Sequence, residues 1–202
     1  MAYHGFLSPL KRGLYELPHP PSVLEIGIDR AVTFFTLATF LVRTKEEFSI
    51  TGIDVLVQEQ VQIMVQHLDR TEKQAVNLVE DNSLNVLPKL VEAGVTFDLI
   101  LVDGDHNYHT VKQELNYLDK ISRPHTIVIV DDYSGRWSDR DLFYSERPGY
   151  ENVKCATPHV DTEKHGVKSA VDEWLAANER WSGAKELPGE PIVLRQNQKF
   201  TR

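Results

Sequence analysis

The sequence predicts an α/β fold: a mostly parallel, doubly wound sheet with helices on both faces. Short β-branched runs alternate with amphipathic segments five times between residues 22 and 130, the apolar period switching from two to about 3.6 each time. The connections are short, which calls for right-handed crossovers between neighbouring parallel strands. Two runs, at 97–102 and 127–130, stop abruptly on acids, Asp103 in the first case and Asp131 with Asp132 in the second. Each reads as a buried strand delivering carboxylates into a loop, and adjacent parallel strands ending this way share one crevice.

Residues 1–22 contain Pro9, Pro18, Pro20 and Pro21, so an N-terminal arm with no more than a short helical turn over 9–15 is expected. Residues 22–27, SVLEIG, form a first strand ending in glycine, and the nearly all-apolar 31–42 follows as a buried helix. Residues 48–53 form a second strand closing on Asp54. Val61, Met64, Val65 and Leu68 then recur at helical spacing within 58–68. A third strand, 75–79, runs into Glu80, Asp81 and Asn82, and Ser83 is placed as the cap of a helix with Leu84, Leu87, Leu90 and Val91 inward. After the fourth strand at 97–102, a helix over 108–121 turns Val111, Leu115 and Leu118 to the core. Pro124 breaks the chain before the fifth strand.

Periodicity lapses over 133–165, a segment long enough to cover the crevice as a lid. Trp137, Phe143, Tyr144 and Tyr150 are its candidates for an acceptor wall, set against ordinary lid packing. An amphipathic helix resumes at 166–178, with Trp174 on its core face. Residues 181–187 and 192–195 read as two strands joined by a tight turn at Pro188, Gly189 and Glu190. Residues 23–198 are thus expected to form one domain behind the 1–22 arm.

With 202 residues and 41% hydrophobic content, the chain suits one substantial core. A formal charge of -8 disfavours nonspecific binding to nucleic acid or anionic lipid. The single Cys155 allows no internal disulfide or thiolate zinc site, and no stretch is apolar enough for a membrane span or signal peptide. A soluble, cytoplasmic protein is expected, with a small-molecule partner and room for a homo-oligomer.

Gly27 lets a ligand approach the backbone at a helix amino terminus, although the spacing is not that of a dinucleotide fingerprint and a plain turn explains it as well. Asp54 suits the acid that accepts hydrogen bonds from ribose hydroxyls. Three clustered aspartates would repel one another without a cation, and carboxylates are the ligands Mg²⁺ prefers. His106, with a reference pKa of about 6.5, suits a general base. A loop imidazole that is merely exposed, or that orders Asp105 or Asp131, is the competing reading, and Asp103 itself is a second candidate base. The other histidines are scattered, and no nucleophile elbow surrounds Ser134 or Ser138.

Taken in order, VLEIG, TGID, NLVEDNSLNVLPKL, FDLILVDGDHNYHTVKQEL, IVIVDDY and GVKSAVDEW resemble class I S-adenosylmethionine-dependent methyltransferases. More narrowly they resemble the metal-dependent O-methyltransferases of the macrocin O-methyltransferase group. The resemblance implies a Rossmann-like seven-stranded sheet of order 3-2-1-4-5-7-6 with strand 7 antiparallel. It implies S-adenosylmethionine at Glu25, Gly27, Asp54, Asn82, Ser83 and Asp103, with Mg²⁺ or another divalent cation at Asp103, Asp131 and Asp132. His106 and Asp103 are the catalytic candidates, His106 standing where catechol-type enzymes carry a lysine. The expected reaction is O-methylation of a small hydroxylated acceptor: a sugar, or a polyketide-type or phenolic compound. Relatives carry Gly where Ala31 stands and Ser-Thr where Thr33 and Phe34 stand, which puts the methionine end of the cofactor pocket in question. Two alternatives stay open: a metal-dependent hydrolase on the same acids, and a degenerate cofactor-binding module.

Overall fold

The computed structural model describes residues 4–187 and 189–197. The first three residues of the arm, Pro188 of the last turn and residue 198 lie outside the described residues. Seven strands form one sheet in the order β3-β2-β1-β4-β5-β7-β6. Strands β1 (Ser22–Ile26), β2 (Phe48–Asp54), β3 (Gln74–Glu80), β4 (Phe97–Val102) and β5 (Ser122–Val130) run parallel. Strand β7 (Ile192–Gln196) is antiparallel to β5 and to the edge strand β6 (Trp181–Ala184).

Every residue of β1 and β4 is buried, as expected where helices cover both faces. One core layer gathers Val23, Leu99 and Leu101 with Phe34, Leu37 and Leu41 of α2 (Val32–Thr44) and Val61 and Val65 of α3 (Glu59–Gln66). The opposite layer gathers Leu24, Ile100 and Val102 with α4 (Ser83–Glu92), α5 (Tyr108–Leu118) and α6 (Gly166–Ala177), including Trp174. The odd–even split along β1 and β4 is the pleat of a strand buried on both sides. Asp98, the lone acid in β4, is buried because Arg123 Nη1 (2.6 Å) and the Ser22 amide (2.8 Å) donate to it.

Three local expectations are corrected. The arm forms a helix, α1 (His4–Glu16), that continues through Pro9. Leu7, Leu10 and Leu14 are buried in the α2 layer, and Lys45 Nζ donates to the carbonyls of Tyr15 (2.8 Å) in its last turn and Leu17 (3.1 Å) just beyond it. Burial of that apolar stripe outweighs the hydrogen bond the proline removes. Pro124 lies inside β5, where the β4 pairing jumps from Phe97↔Ser122 to Leu99↔Ile127, so the proline sits in an irregularity that needs no ladder donor. Asn82, not Ser83, caps α4, its side chain accepting from the Leu84 amide at 2.8 Å. No helix among the described residues is long and apolar enough to cross a membrane.

Candidate functional site

The parallel strands end side by side, and their pairing continues one residue into the loops. Gly27 N donates to Ile53 O (2.8 Å), Asp81 N to Asp54 O (3.0 Å), Asp103 N to Ile26 O (2.8 Å) and Asp131 N to Val102 O (3.0 Å). The acids that stop the apolar runs are therefore held at neighbouring strand ends by backbone hydrogen bonds.

Above these ends lies a cleft. Gly27, Asp54, Asn82, Ser83 and Asp103 line it, together with Asp29, Asp81, Asp105, Thr110, Glu114, Tyr144, Tyr150 and Thr157. Five aspartates and the buried Glu114 are among the lining residues, and no lysine or arginine among the described residues lines it. Such a cleft favours a ligand carrying positive charge and disfavours one carrying phosphates.

Gly27 has φ +81°, and a Cβ there would stand 2.1 Å from Asp103 O, so the β1 turn and the β4 end are pressed together. Asp54 organises this turn: Oδ2 accepts from the amides of Ile28 (2.8 Å) and Asp29 (3.0 Å), and Oδ1 accepts from Leu56 N (3.0 Å). With roughly four acceptor directions on a carboxylate, one remains for a ligand hydroxyl. Asp29 (φ 40°), Ala31 (φ 56°) and Asp132 (φ 53°) take left-handed backbone at the strand ends, where such strain clusters in functional loops. Ala31 and Phe34 do not line the cleft. Phe34 is fully buried and its ring packs where a Cβ on Gly52 would fall, so the departures from the family pattern are absorbed by the core.

Glu25 stands apart from the other residues assigned to the cofactor. It is buried beneath the turn and does not line the cleft; burial, reinforced by Asp54, pushes its carboxyl up to about 8. Glu114 is also wholly buried, accepts from Ser83 Oγ at 2.6 Å, and is pushed up to about 8, mainly by burial. Both are held neutral near pH 7.

On the far side of Asp103 stands His106, 8% exposed, which rules out the solvated-imidazole reading. Its Nε2 lies 3.9 Å from Asp103 Oδ1 and its Nδ1 3.3 Å from Asp132 Oδ2. Burial lowers the imidazole to about 4 against the pull of Asp131, with Arg147 adding to the depression. Burial and the neighbouring Asp131 and Glu190 raise Asp132 to about 7. The contact is thus biased towards neutral partners and away from a full ion pair. Asp105 is not ordered by His106: it accepts from Tyr144 N (2.9 Å) and Thr110 Oγ1 (3.3 Å). Asp103, Asp131 and Asp132 are gathered around one imidazole, yet no group of three or more His, Cys, Asp or Glu among the described residues is disposed to hold a metal ion. In kind, three carboxylates are the donors a hard divalent cation takes.

The 133–165 segment closes over both halves. Leu142 N donates to His106 O (3.0 Å), and Asn82 Nδ2 donates to Cys155 O (2.7 Å) and Thr157 Oγ1 (3.0 Å). Asp141 accepts from the amides that open α5 and α6, Tyr108 N and Gly166 N, both at 2.8 Å, and lies 2.7 Å from His165 Nδ1. Tyr144 and Tyr150 line the cleft in edge-to-face contact, 5.1 Å between centroids, whereas Phe143 is buried and Trp137 packs against the core layer that holds α6. Of the four aromatics expected to form an acceptor wall, two instead roof the strand-end cleft. Asp29, Asp105, Thr110, Glu114 and Thr157 went unnoticed as lining residues. A helical i, i+4 step from Thr110 to Glu114 was the available signal.

A family described as "Methyltransferase domain" matches residues 24–133, more than half of the chain. No curated protein sequence matches. Among solved structures, the calicheamicin methyltransferase CalS11 is similar over 94% of this chain and 76% of its own, at 14% identity and TM-score 0.62. MycE from the mycinamycin biosynthetic pathway, in complex with Mg, SAH and mycinamycin VI, is similar over 99% of this chain and 52% of its own, at 12% identity and TM-score 0.59. The SAH-bound Podospora anserina methyltransferase PaMTH1 is similar over 98% and 80%, at 14% identity and TM-score 0.59. The chain spans about half the length of MycE, and 45% of an Agrobacterium tumefaciens SAM-dependent methyltransferase. At these identities the likeness is one of fold.

Proposed function

The chain belongs to the methyltransferase-domain family, and from that membership we propose that it moves the methyl group of S-adenosylmethionine to a hydroxyl oxygen of a small acceptor. The observation that carries the reading is the position of Asp103, which lines the acidic cleft on one side and faces buried His106 at 3.9 Å on the other. A sulfonium and an ammonium suit a cleft lined by five aspartates and no lysine or arginine among the described residues. Asn82 and Ser83 stand at the α4 terminus for the adenine end, and the free acceptor direction of Asp54 is available to a ribose hydroxyl.

The acceptor hydroxyl is placed between Asp103 and His106. Burial keeps the imidazole neutral but also makes it a weaker base, so it takes the hydroxyl proton only in concert with attack of the oxygen on the methyl carbon. The O–CH₃ bond forms, the S–CH₃ bond breaks, and the sulfonium leaves as a neutral thioether. Tyr144 and Tyr150 exclude water from the reacting atoms, and holding them at near-attack distance supplies ~7 to 11 kcal/mol of the barrier reduction. A divalent cation, where bound, would be held by Asp103, Asp131 and Asp132 and would lower the pKa of the acceptor hydroxyl.

Calorimetry with S-adenosylhomocysteine, paired with transfer of labelled methyl to a panel of hydroxylated acceptors, tests this. Saturable binding and a turnover loss of about 10²-fold or more in His106→Ala are expected. Absence of S-adenosylhomocysteine binding overturns the reading. Full turnover in excess EDTA, or in Asp131→Ala with Asp132→Ala, removes the cation from it.

A further inference from the structure

Two polar residues of the cleft wall have their hydrogen bonds spent on the segment that covers it. Asn82, in the loop between β3 and α4, has both amide hydrogens committed: Nδ2 donates to Cys155 O (2.7 Å) and to Thr157 Oγ1 (3.0 Å). Its orientation is fixed, because Oδ1 accepts from the Leu84 amide at 2.8 Å and a flip of the side-chain amide would lose that cap. Asp105, in the loop between β4 and α5, accepts from Tyr144 N (2.9 Å), from Thr110 Oγ1 (3.3 Å) and from the side chains of Thr157 and Asn107. A carboxylate has roughly four acceptor directions, so none is left for a ligand.

Thr157 is where these two sets of bonds meet. It is buried and lines the cleft together with Tyr144 and Tyr150 of the same segment. Its hydroxyl has a single hydrogen. Asp105 takes that hydrogen and Asn82 donates to the oxygen, so one side chain of the roof ties the loop after β3 to the loop after β4. The Thr157 carbonyl accepts from Ser145 Oγ at 2.6 Å, which joins the two ends of the roof to each other. We propose that Thr157 is a positioning residue, the latch that holds the 144–157 roof over the cleft and sets how fast a bound ligand leaves it. That the ligand is the methyl donor or its thioether product rests on the methyltransferase reading; the latch itself does not. Asn82 and Asp105 then act on the ligand through the roof, since their hydrogen bonds are spent on holding it.

The test measures the rate at which labelled S-adenosylhomocysteine is chased from the full chain in Thr157→Val, which keeps the shape and loses the hydroxyl, and in Thr157→Ser, which keeps the hydroxyl. Loss of two bonds that hold the roof is expected to speed release about tenfold or more in Thr157→Val, with Thr157→Ser within about twofold of the wild type. Asp105→Asn breaks the same tie from the other side and speeds release in the same direction. Gly94→Ala, strained at φ +67° but not in the cleft lining, leaves the rate unchanged and separates the latch from a general loss of stability. Unchanged release in Thr157→Val, or release from Thr157→Ser as fast as from Thr157→Val, overturns the latch. A wild-type chain that binds no S-adenosylhomocysteine overturns the methyltransferase reading instead, and hydrogen exchange of the ligand-free chain then decides the latch. Amides of 144–157 should exchange faster in Thr157→Val than in the wild type while those of β1 and β4 do not change; equal exchange across 144–157 overturns it.

Discussion

Replacing Gly27 with alanine tests whether the β1 turn and the β4 end are as tightly joined as the geometry requires. At φ +81° an L side chain costs roughly 1–2 kcal/mol. The added Cβ would also lie 2.1 Å from Asp103 O, 2.4 Å from Asp103 C and 2.5 Å from Gly104 Cα, where ordinary contact begins at 3.4 Å. All three atoms are backbone, pinned by the Asp103 N to Ile26 O bond, so no side chain can swing away. Relieving the overlap means parting two strand ends by about 1 Å, an overpacking penalty of roughly 2–3 kcal/mol. The total of about 3–5 kcal/mol lowers Tm by roughly 6–20 °C in a domain of this size. Gly94→Ala provides the control: φ is +67° but nothing lies within 4 Å, so it carries the strain alone. Thermal melts by circular dichroism and S-adenosylhomocysteine titrations on both variants are the assay. Equal melting shifts in the two, with cofactor affinity intact in Gly27→Ala, would refute the close-packing account.

Asp54→Asn leaves one oxygen to serve three amides and is expected to weaken S-adenosylhomocysteine binding about tenfold or more by calorimetry; unchanged affinity would deny Asp54 its role in shaping the turn. Glu25 and Glu114 hold a proton up to about pH 8 in the folded chain, against a reference value of 4.5. The folded state therefore binds the extra protons between those values, so stability is fully present below about pH 4.5 and is lost as pH rises towards 8. Denaturant melts should show this decline, flattened in Glu25→Gln or Glu114→Gln; the same slope in all three proteins contradicts it. Asp141→Ala removes the acceptor shared by the amides opening α5 and α6, and a loss of about 2 kcal/mol is expected in urea unfolding; no change would mean other groups cap both helices. S-adenosylmethionine, with one more positive charge than its demethylated product, should bind the acidic cleft more tightly at low salt, with the gap narrowing in high salt. A salt-independent ratio would argue against electrostatic selection.

The parallel core was readable because strands buried on both faces leave uninterrupted apolar runs, and the acids ending 97–102 and 127–130 mark where solvent begins. What was not readable depends on partners distant in sequence. Pro9 argues locally against a helix, and only the burial of Leu7, Leu10 and Leu14 against α2 overrides it. Asn82 and Ser83 are both good caps by composition; Ser83 loses the role because its hydroxyl is committed to Glu114, thirty-one residues later. Residues 133–165 show no period because they are held by isolated bonds from side chains elsewhere, Asp105 to Tyr144 N and Asn82 to Cys155 O and Thr157 Oγ1, which impose no repeat on the segment itself. The same independence from periodicity hid the role of Asp54, whose three amide partners lie in loops.

The distribution of charge explains why two glutamates in the centre of the fold are kept neutral. If Glu25 and Glu114 were ionised beside Asp54 and Asp105, each would add an unpaired buried charge to strand ends already lined by five aspartates. Complete burial avoids this by moving the cost from repulsion between carboxylates to retention of protons. The carboxylates that remain ionised at the mouth of the cleft can then attract a cationic methyl donor and hold its neutral thioether product less strongly. On the proposed reaction, charge lost in methyl transfer becomes a reason for the product to leave.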